Sequence, residues 1–547
     1  MITRLQQIIE CISEIESVKI IENFTEQDRV IKGSVLVLEG EVELQFHVIV
    51  TPQYPFQFHN VETIRFINKD LIAYNHVNRD GSICVHTRHS PELKNKILLD
   101  FDSLKQWIRK YYINKEPDTN YEHIITPIGS FNNANMCFLF TEVNYIFKKG
   151  DFGLTKYSSL STGDHEAKKV HTYIIQNFKI GKQTISCNWN SFYKSLPTSE
   201  GIYLYIEDAP VKNKRFIIEN WMDLEAYVNQ SFLSFLYEIQ KNISKKSNSL
   251  PIPLIIGYKI PGDEIHWQCA AIDINNFPNH GEKVPGTKMY LGHFYNEQIN
   301  WLQTKNCSYK YFFGRGALNE KLTQGKILII GVGAIGSILA VALTRGGCKH
   351  ISLFDYDIKE PENICRAEYS FFTGLNSKVT DLGRHLLEIS PFVEIVPSEF
   401  FTDGIKVFIN TGVYKEEMKG KLEEFDYIFD CSTDDDLAFI LDSFGLKSTV
   451  INLSITNHAE ELICVVNPDL YKWMNEIYRV LGNKSDDLYN PTGCWSPTFK
   501  ASYNDVALMV QYAVKHINKS LEDNNALRNF YLQVDNNDGI NIKLKQF

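Results

Sequence analysis

The sequence predicts a multidomain protein that joins an α+β domain, a β-rich middle domain and an α/β domain. A helix-spaced apolar pattern followed by alternating strand patterns occupies residues 1–145, and short strand-like segments dominate residues 150–305. Strand and helix patterns alternate over residues 306–547, which is typical of a mostly parallel sheet covered by helices. With 547 residues the chain has room for roughly two to four domains.

The first domain is predicted to open with an amphipathic helix and to continue as an antiparallel sheet. Its apolar residues at helical spacing are Ile2, Leu5, Ile8, Ile9, Ile12 and Ile15. The strand patterns VIKGSVLVLEG and VELQFHVIV meet at a Glu39-Gly40 turn, and two prolines exclude a central strand before Val61. A second helix covers DSLKQWIRKYY, residues 102–112. The side chains that it would bury are Leu104, Trp107, Ile108 and Tyr111.

The middle domain is predicted to be rich in strands and to be non-catalytic. GIYLYIED and LIIGYKI are strand patterns, and MDLEAYVNQSFLSFLYEIQKNI, residues 222–243, is expected to form one helix. KKSNSLPIP reads as an exposed loop. No grouping of nucleophile, base or metal ligands is visible in residues 150–305. We therefore expect a structural or docking role for this region.

The last domain carries the clearest alternation of strands and helices. KILIIG is a buried strand, SILAVALTRGG a helix that ends at glycine, and HISLFDYD a second strand. FDYIFDCS, STVINLSI and ELICVVNP are the later strands. This order predicts a Rossmann-like sheet, in which ligand-binding loops gather at the carboxyl ends of the strands.

Composition limits the classes of partner and the cellular compartment. The formal net charge is −10 and the isoelectric point is about 5.9, which argues against bulk binding to nucleic acid or to an anionic membrane. The 11 cysteines are spread singly without a C-x-x-C pair, as expected for reduced thiols in the cytoplasm. No N-terminal signal is visible, and glycines interrupt the longest apolar run, Ile327–Leu343.

The segment GVGAIG predicts a nucleotide site. Gly331, Gly333 and Gly336 follow a strand and precede a helix, where glycines let the backbone approach phosphates and the helix N-terminus favours an anion. Asp355 ends the second strand, where a carboxylate can hold ribose hydroxyls. This pattern alone fits NAD-dependent dehydrogenases as well as enzymes that use ATP.

Charged residues after the second strand favour ATP. The segment DYDIKEPENICRAEY places Asp357, Asn363 and Arg366 in one loop, and Lys378 follows shortly. Cations suit an enzyme that cleaves ATP, because negative charge builds on the transferring and leaving phosphates. The carboxylates from Asp430 to Asp436 could hold the Mg²⁺ that accompanies ATP.

This constellation resembles the adenylation domain of ubiquitin-activating enzymes and their bacterial ThiF relatives. The matching positions are GVGAIG, Asp355 and Asp357, Asn363 and Arg366, Lys378, and Thr433-Asp434. The resemblance implies that Arg366 and Lys378 contact the triphosphate, that Asp355 contacts the ribose, and that Asp434 binds Mg²⁺. Two features depart from the family. Asp435 replaces the usual Asn, and an arginine often seen shortly after this motif is missing. Arg315 matches an arginine that such enzymes contribute from a second subunit.

Cys494 is the first candidate nucleophile. It lies in NPTGCWSPTF, where proline and glycine indicate a loop, and a loop thiol can reach a mixed anhydride formed at the nucleotide site. The position resembles the thioester cysteine of prokaryotic activating enzymes. Cys431 and Cys464 lie within apolar strand patterns and are predicted to be core residues.

Cys84 is the second candidate, although a lone cysteine after a turn can also be a small apolar residue entering a strand. The order YPF at residues 54–56, then DGSIC, then a helix with Trp107 resembles a ubiquitin-conjugating domain. The His-Pro-Asn triplet of that family falls on residues 74–76, so His76 replaces the Asn that supports the oxyanion. Histidine can donate such a hydrogen bond, and Asn78 is the alternative donor.

The order of the three regions resembles the fused conjugating–activating enzymes of type II CBASS anti-phage operons. The resemblance implies an ATP- and Mg²⁺-dependent ligase that adenylates a protein C-terminus, carries it on Cys494 and then Cys84, and delivers it to a target amine. The modifier would be a cGAS-like nucleotidyltransferase or a ubiquitin-like protein with a C-terminal glycine, and the enzyme a homodimer. A sulfur-carrier activating enzyme, a non-catalytic nucleotide-binding scaffold and a dehydrogenase are the alternatives.

Overall fold

The structure is a computed structural model that describes two units of the chain. It describes residues 3–547 except 60, 79, 86, 117–129, 132–133, 166–167, 213–214, 217, 243–249, 261–263, 287–289, 399–411, 483, 485–499 and 536–538. The first unit comprises residues 1–140, 145–185 and 199–305, and the second comprises residues 141–144, 186–198 and 306–547.

The N-terminal part of the first unit packs two helices on an antiparallel sheet. The helices are α1 (Arg4–Ser13) and α2 (Leu93–Trp107), which continues as a π-helical segment, Ile108–Ile113. The sheet has the order β1 (Val18–Gln27), β2 (Val30–Glu39), β3 (Val42–Val50) and β4 (Ile64–Ile67). Its core includes Phe66 and Phe101, whose rings meet edge to face at 5.0 Å.

Two elements of this part differ from the sequence prediction. Helix α2 begins at Leu93 rather than near residue 102, because the buried Lys96 and Asp100 interrupt the apolar periodicity of its first turns. Strand β1 was not predicted, because most of its side chains are exposed. Tyr111 is half-buried rather than buried, whereas the other three predicted side chains of the helix are buried.

The rest of the first unit is built on a nine-stranded sheet with the order β5-β6-β17-β14-β13-β10-β7-β8-β9. Strand β6 also pairs with β8, which closes the sheet on itself. Its strands are β5 (Ser130–Phe131), β6 (Ala134–Phe140), β7 (Phe152–His165), β8 (Lys168–Ile180), β9 (Gln183–Ser186), β10 (Ser199–Glu207), β13 (Ile252–Ile260), β14 (Glu264–Ile272) and β17 (Asn300–Asn306). Two further pairs are β11 (Val211–Lys212) with β12 (Arg215–Phe216), and β15 (Asn279–Lys283) with β16 (Tyr290–Phe294).

Strands β5 and β6 lie before residue 145, within the predicted first domain, yet they pair with strands of the nine-stranded sheet. The sequence does not reveal this, because the pairing is with strands far along the chain. The middle region also contains α3 (Ser191–Lys194), which is part of the second unit, and α4 (Gln230–Asn242).

The single helix predicted over residues 222–243 is wrong. A 3₁₀ helix, Trp221–Tyr227, is followed by an extended Val228 and then by α4. Asn229 starts the second helix, since its side-chain Oδ1 accepts a hydrogen bond of 2.9 Å from the Phe232 N–H. Asparagine favours this capping position over a helix interior, which explains the break.

The second unit contains an eight-stranded sheet of the predicted α/β type. Strand order is β20-β19-β18-β21-β22-β23-β24-β25, with parallel pairing through β22 and antiparallel pairing beyond it. Its strands are β18 (Lys326–Ile330), β19 (His350–Phe354), β20 (Glu394–Ser398), β21 (Tyr427–Asp430), β22 (Thr449–Thr456), β23 (Glu461–Val466), β24 (Phe530–Asp535) and β25 (Asn541–Gln546).

Helices cover both faces of this sheet. Ile327 and Ile329 of β18 belong to one apolar core, and Leu328 and Ile330 belong to another. A strand that is buried on both faces has a continuous apolar sequence, and KILIIG is such a sequence. The helices are α5 (Tyr309–Phe313), α6 (Glu320–Thr323), α7 (Ala334–Arg345), α8 (Pro361–Ile364), α9 (Lys378–Ile389), α10 (Gly412–Leu422), α11 (Asp435–Phe444), α12 (Leu470–Leu481) and α13 (Tyr503–Glu522).

Within the described ranges, every helix falls short of the length and apolarity that crossing a bilayer requires.

Candidate functional site

A cavity of about 320 Å³ opens where β18, β19 and β21 end. This volume lies within the usual range of small-molecule sites. Its lining residues are Gly331, Gly333, Ala334, Ile335, Asp355, Asp357, Asn363, Arg366, Ala367, Lys378, Cys431, Ser432, Thr433, Ile455 and Val506. The structure therefore brings together seven of the predicted nucleotide-site residues. They meet because the carboxyl ends of parallel strands share one edge of the sheet.

The backbone conformation and close packing of the glycine loop require residues without a side chain. Gly331 has φ +79°, and a Cβ on it would lie 2.6 Å from the Cα of Ser432. A Cβ on Gly336 would lie 2.0 Å from the Gly331 carbonyl oxygen, so Gly336 packs beneath the loop instead of lining the cavity. The Cβ position of Gly333, by contrast, meets open space. Gly333 caps the N-terminus of α7, which therefore faces the cavity and favours an anion there.

Asp355 ties the second strand to the glycine loop. Its Oδ2 accepts a hydrogen bond of 2.8 Å from the Val332 N–H, and its Oδ1 accepts one of 2.9 Å from the Asp357 N–H. Burial raises the pKa of this carboxyl, against the lowering effect of these two bonds. The Tyr369 hydroxyl donates to the Val332 carbonyl. The loop is thus held from both sides before any ligand binds.

Two cations line the cavity. Lys378 is the first residue of α9, and its Nζ lies 2.8 Å from Oδ2 of Asp357. The Lys378 side chain is only 10% exposed, whereas that of Asp357 is 51% exposed, so solvent partly screens this ion pair. Arg366 is half-buried in the loop after α8. Asn363 stabilises that loop, because its Oδ1 accepts a hydrogen bond of 2.9 Å from the Glu360 N–H.

The loop after β21 is held by a buried carboxylate that the sequence prediction did not single out. Asp430 is fully buried and accepts hydrogen bonds from the Ser432 N–H at 3.1 Å, the Ser432 hydroxyl at 2.6 Å and the Asn452 amide at 2.9 Å. Burial raises the pKa of Asp430, while these bonds oppose that rise. Ser432 Oγ in turn accepts from the Asp434 N–H at 3.2 Å. This chain of contacts fixes Thr433, which lines the cavity with φ +57°.

Asp434 caps helix α11 and does not line the cavity. Its Oδ1 accepts hydrogen bonds from the N–H groups of Asp436 and Leu437, at 3.1 and 3.2 Å. Among the described residues, no group of three or more His, Cys, Asp or Glu side chains is arranged to bind a metal ion. A Mg²⁺ that accompanies a nucleotide needs only one or two protein carboxylates, since phosphate oxygens and water complete its shell.

Two apolar residues of the lining were missed by sequence reasoning. Ile455 lies near the end of β22 and Val506 lies in α13, far along the chain from the glycine loop. Neither residue carries a chemical signal, because an apolar side chain in a strand or helix reads as ordinary core.

Cys84 follows a tight turn in the N-terminal part of the first unit. The turn closes through hydrogen bonds from the Asn78 N–H to the Ser82 carbonyl and from the Gly81 N–H to the Asn78 carbonyl, at 2.7 and 2.8 Å. The half-buried Cys84 donates its own N–H to the His76 carbonyl at 2.8 Å. The turn therefore brings Cys84 and His76 together, whereas the Asn78 amide donates to the Ser82 hydroxyl at 3.0 Å.

The segment before Cys84 is anchored on α2. The Trp107 indole N–H donates to the Asn75 carbonyl at 2.9 Å, and the His76 ring lies 4.6 Å from the Tyr111 ring, centroid to centroid. His76 adopts φ +56°, a conformation that non-glycine residues seldom take. This anchoring fixes the direction from which His76 approaches the turn.

Three more cysteines and Arg315 were considered in the sequence analysis. Cys494 lies outside the described residues. Cys431 and Cys464 are buried, which confirms their prediction as core residues, and burial raises the pKa of both thiols. Arg315 is exposed after α5 and is not part of the cavity lining.

Comparisons with known proteins place a recognised family on the second unit. Residues 310–544 match the model of the ThiF family. An ATP-dependent ubiquitin transferase-like protein, Cap2, of Enterobacter hormaechei subsp. hoffmannii is 25% identical over 406 residues, which is 68% of this chain and 64% of that protein. Ubiquitin-like modifier-activating enzyme 5 of Caenorhabditis elegans is 33% identical over 94 residues, 17% of this chain and 22% of that enzyme. The chain thus spans less than two thirds of the length of these curated relatives.

Among solved structures, E. coli MccB with ATP is 18% identical, with a TM-score of 0.30, covering 42% of this chain and 65% of that one. The residues that match the ThiF family include the eight-stranded sheet up to residue 544 and the glycine loop. Residues 310–544 are a ThiF-family domain.

Proposed function

We propose that the ThiF-family domain uses ATP to adenylate the C-terminus of a protein. The observation that carries this proposal is that the glycine loop, Asp355, Arg366 and Lys378 line one and the same cavity. A carboxylate oxygen of the protein substrate would attack the α-phosphorus, and the bond to pyrophosphate would break. Bound ATP would supply the adenylyl group and the pyrophosphate leaving group.

Each residue of the cavity has a role that follows from its position. Arg366 and Lys378 would stabilise the charge that develops on the phosphates, and the N-terminus of α7 would bind a phosphate. Asp355, held rigidly by two backbone N–H groups, would accept hydrogen bonds from ribose hydroxyls. The two cations favour ATP over NAD, because a dehydrogenase develops no such charge at this position. Asp434 would contribute a carboxylate to Mg²⁺.

The proposal extends to a relay of two thioesters. Cys494 would attack the adenylate, AMP would leave, and the acyl group would then pass to Cys84 and finally to an amine of a target protein. His76 would donate a hydrogen bond to the oxyanion at Cys84, with Asn78 as the alternative donor. Support comes from the backbone contact between Cys84 and His76 and from the 25% identity to Cap2, a ubiquitin transferase-like protein.

The modifier would be a protein with a C-terminal glycine, and we favour a cGAS-like nucleotidyltransferase in cytoplasmic anti-phage defence. A bacterial ubiquitin-like protein would use the same chemistry. The enzyme would act as a homodimer in which Arg315 reaches the site of the second copy. A sulfur-carrier activating enzyme is the second candidate, supported by the ThiF match alone. A division into three regions, with boundaries at residues 145–150 and 305–306, is also part of this proposal, with the exception that β5 and β6 pair with the sheet of the middle region.

The test compares nucleotide binding with pyrophosphate exchange. Calorimetry should show binding of Mg·ATP and no binding of NAD. Exchange of labelled pyrophosphate into ATP should depend on a protein that ends in glycine, and Arg366→Ala should slow it by roughly 100-fold, as for the loss of one preorganised charge. Arg528→Ala, an exposed arginine of the same unit, is the matched control. Equal exchange in the two variants, or preferential binding of NAD, would overturn the assignment.

A further inference from the structure

A buried polar network connects the Cys84 segment to helix α2. Lys96 and Asp100 lie one turn apart on α2, with side chains 1% and 0% exposed. Lys96 Nζ donates to Thr87 Oγ1 at 2.5 Å and to Glu62 Oε2 at 2.8 Å, and it also donates to Asp100. Thr87 lies three residues after Cys84. The network therefore reaches the segment that carries the thiol.

The charged groups of Lys96 and Asp100 are satisfied by hydrogen bonds within this network. Lys96 has three N–H donors, and each has an oxygen partner. Asp100 Oδ1 accepts from Lys96 and from the Thr87 hydroxyl at 2.7 Å, and Asp100 Oδ2 accepts from the Tyr54 hydroxyl at 2.8 Å. A buried network that is fully satisfied holds its members in one arrangement. The Thr87 hydroxyl is both an acceptor and a donor within it.

We propose that Thr87, Lys96 and Asp100 are positioning residues for the Cys84 thiol, an inference that rests on the proposed carrier role of Cys84. The segment is fixed at its start by the Cys84 N–H bond to the His76 carbonyl and by the bridge between Val77 and Ile83. The network fixes its end at Thr87. Anchors on both sides of Cys84 hold in place the main chain that carries the thiol.

Stability alone does not account for a buried Lys–Asp pair. Replacing such a pair by apolar residues of similar volume is often neutral or stabilising, because desolvation offsets the attraction between the charges. What the pair specifies here is the position of the Thr87 hydroxyl. The role is therefore tested most directly at Thr87, where a substitution can remove the hydroxyl without removing volume or leaving either charge without its ionic partner.

The experiment uses the full chain and a short synthetic peptide that ends in a glycyl thioester. Thiol exchange loads the peptide onto cysteines, and peptide mapping by mass spectrometry identifies the acylated Cys84. Free lysine is then added: its amine attacks the thioester carbonyl, the C–S bond breaks, the Cys84 thiolate leaves, and the amine proton passes to solvent. The thioester on the exposed Cys365 is the internal reference. Loading this way bypasses ATP and Cys494.

Thr87→Val should lower kcat for lysine-dependent discharge at Cys84 by about tenfold or more, with KM for lysine unchanged, since a thiol misplaced by about 1 Å can cost that much. Thr87→Ser keeps the hydroxyl and should restore the wild-type rate. Amide hydrogen exchange of the Cys84–Thr87 segment should speed up in the Val variant alone. Tyr54→Phe, which removes one bond to Asp100, provides a second variant with a smaller loss if Thr87→Val does not fold.

Equal kcat in Thr87→Val and the wild type, or equal losses in the Val and Ser variants, would overturn the positioning role. Failure of the proposed carrier function has a different signature. In that case the wild-type thioester at Cys84 would discharge to lysine no faster than the one at Cys365. The hydrogen-exchange difference between Thr87→Val and Thr87→Ser would still decide whether the network anchors the segment.

Discussion

At the scale of single residues, two glycines of the loop are needed for different reasons. Gly331 allows the backbone conformation, whereas Gly333 leaves space for a ligand. Gly331→Ala should destabilise the ThiF-family domain by more than about 1 kcal/mol, because alanine would adopt φ +79° and its Cβ would lie 2.6 Å from the Ser432 Cα. Gly333→Ala should affect stability less and Mg·ATP affinity more, because the added methyl points into open space at the cavity. Chemical denaturation and calorimetry of both variants measure the two effects. An unchanged unfolding midpoint in Gly331→Ala would contradict this account of the loop.

The sequence predicted mainly those cavity residues that are charged or are glycines. Asp355 was predicted because a carboxylate after the second strand suits a ribose, and Arg366 and Lys378 because cations suit phosphates; parallel strands bring their loops to one edge. Asp430 was grouped with the acidic residues, yet it is buried beneath the loop with Asn452 and Ser432 as partners. Its role could not be inferred, because the partner on β22 is set by strand pairing.

At the scale of elements, the N-terminus of α11 allows the charge of Asp434 to be tested apart from its capping. Asp434→Asn should keep the cap, since Asn and Asp are equivalent at this position, whereas Asp434→Ala should lose about 1 kcal/mol of stability. If Asp434 binds Mg²⁺, both variants should slow pyrophosphate exchange, and added Mg²⁺ should partly rescue Asp434→Asn. Wild-type exchange in Asp434→Asn would leave Asp434 with a capping role only.

Element boundaries were predicted well for elements with a continuous apolar face. They were predicted poorly for elements in which polar residues interrupt that face. Strands β2 and β3 lie where alternation predicts them, with the Glu39-Gly40 turn between them. Helix α2 was predicted too short because Lys96 and Asp100 occupy its buried face. The hairpin of β7 and β8 was missed because segments such as SLSTGDH lack an apolar alternation. Lys96 and Asp100 find their partners only in the tertiary structure, and β7 and β8 are held together by backbone pairing.

At the scale of the whole chain, the sequence indicated three regions, and the structure groups most of the first two into one unit. The closure of the nine-stranded sheet depends on pairings such as β6 with β8 and β6 with β17. Registers between distant strands are set by packing, so a linear pattern cannot show which strands are neighbours. Motif order along the chain is independent of these pairings, and it is what supports a relay from an adenylation domain to a second thiol.

The order of the two thiols in that relay is the last prediction. Cys494 falls within residues 310–544, which match the ThiF family, and we expect the first thiol to come from the same domain as the adenylate. Transfer between two thiols is close to isoenergetic, so ATP cleavage must drive the first thioester, and Cys84 must receive the acyl group second. Cys494→Ala should therefore abolish labelling at Cys84. Cys84→Ala should leave a reducible thioester at Cys494 but end transfer to amines.

Gel analysis with and without reducing agent distinguishes these products, because a thiol cleaves a thioester and leaves an isopeptide bond intact. Cys365→Ala, which removes an exposed cysteine of the same chain, controls for the loss of any thiol. Full labelling of Cys84 in Cys494→Ala would reverse the order of the relay. Full amine conjugation in Cys84→Ala would mean that this thiol is only a small apolar residue after a turn, and the Thr87 network would then anchor a segment without a carrier role.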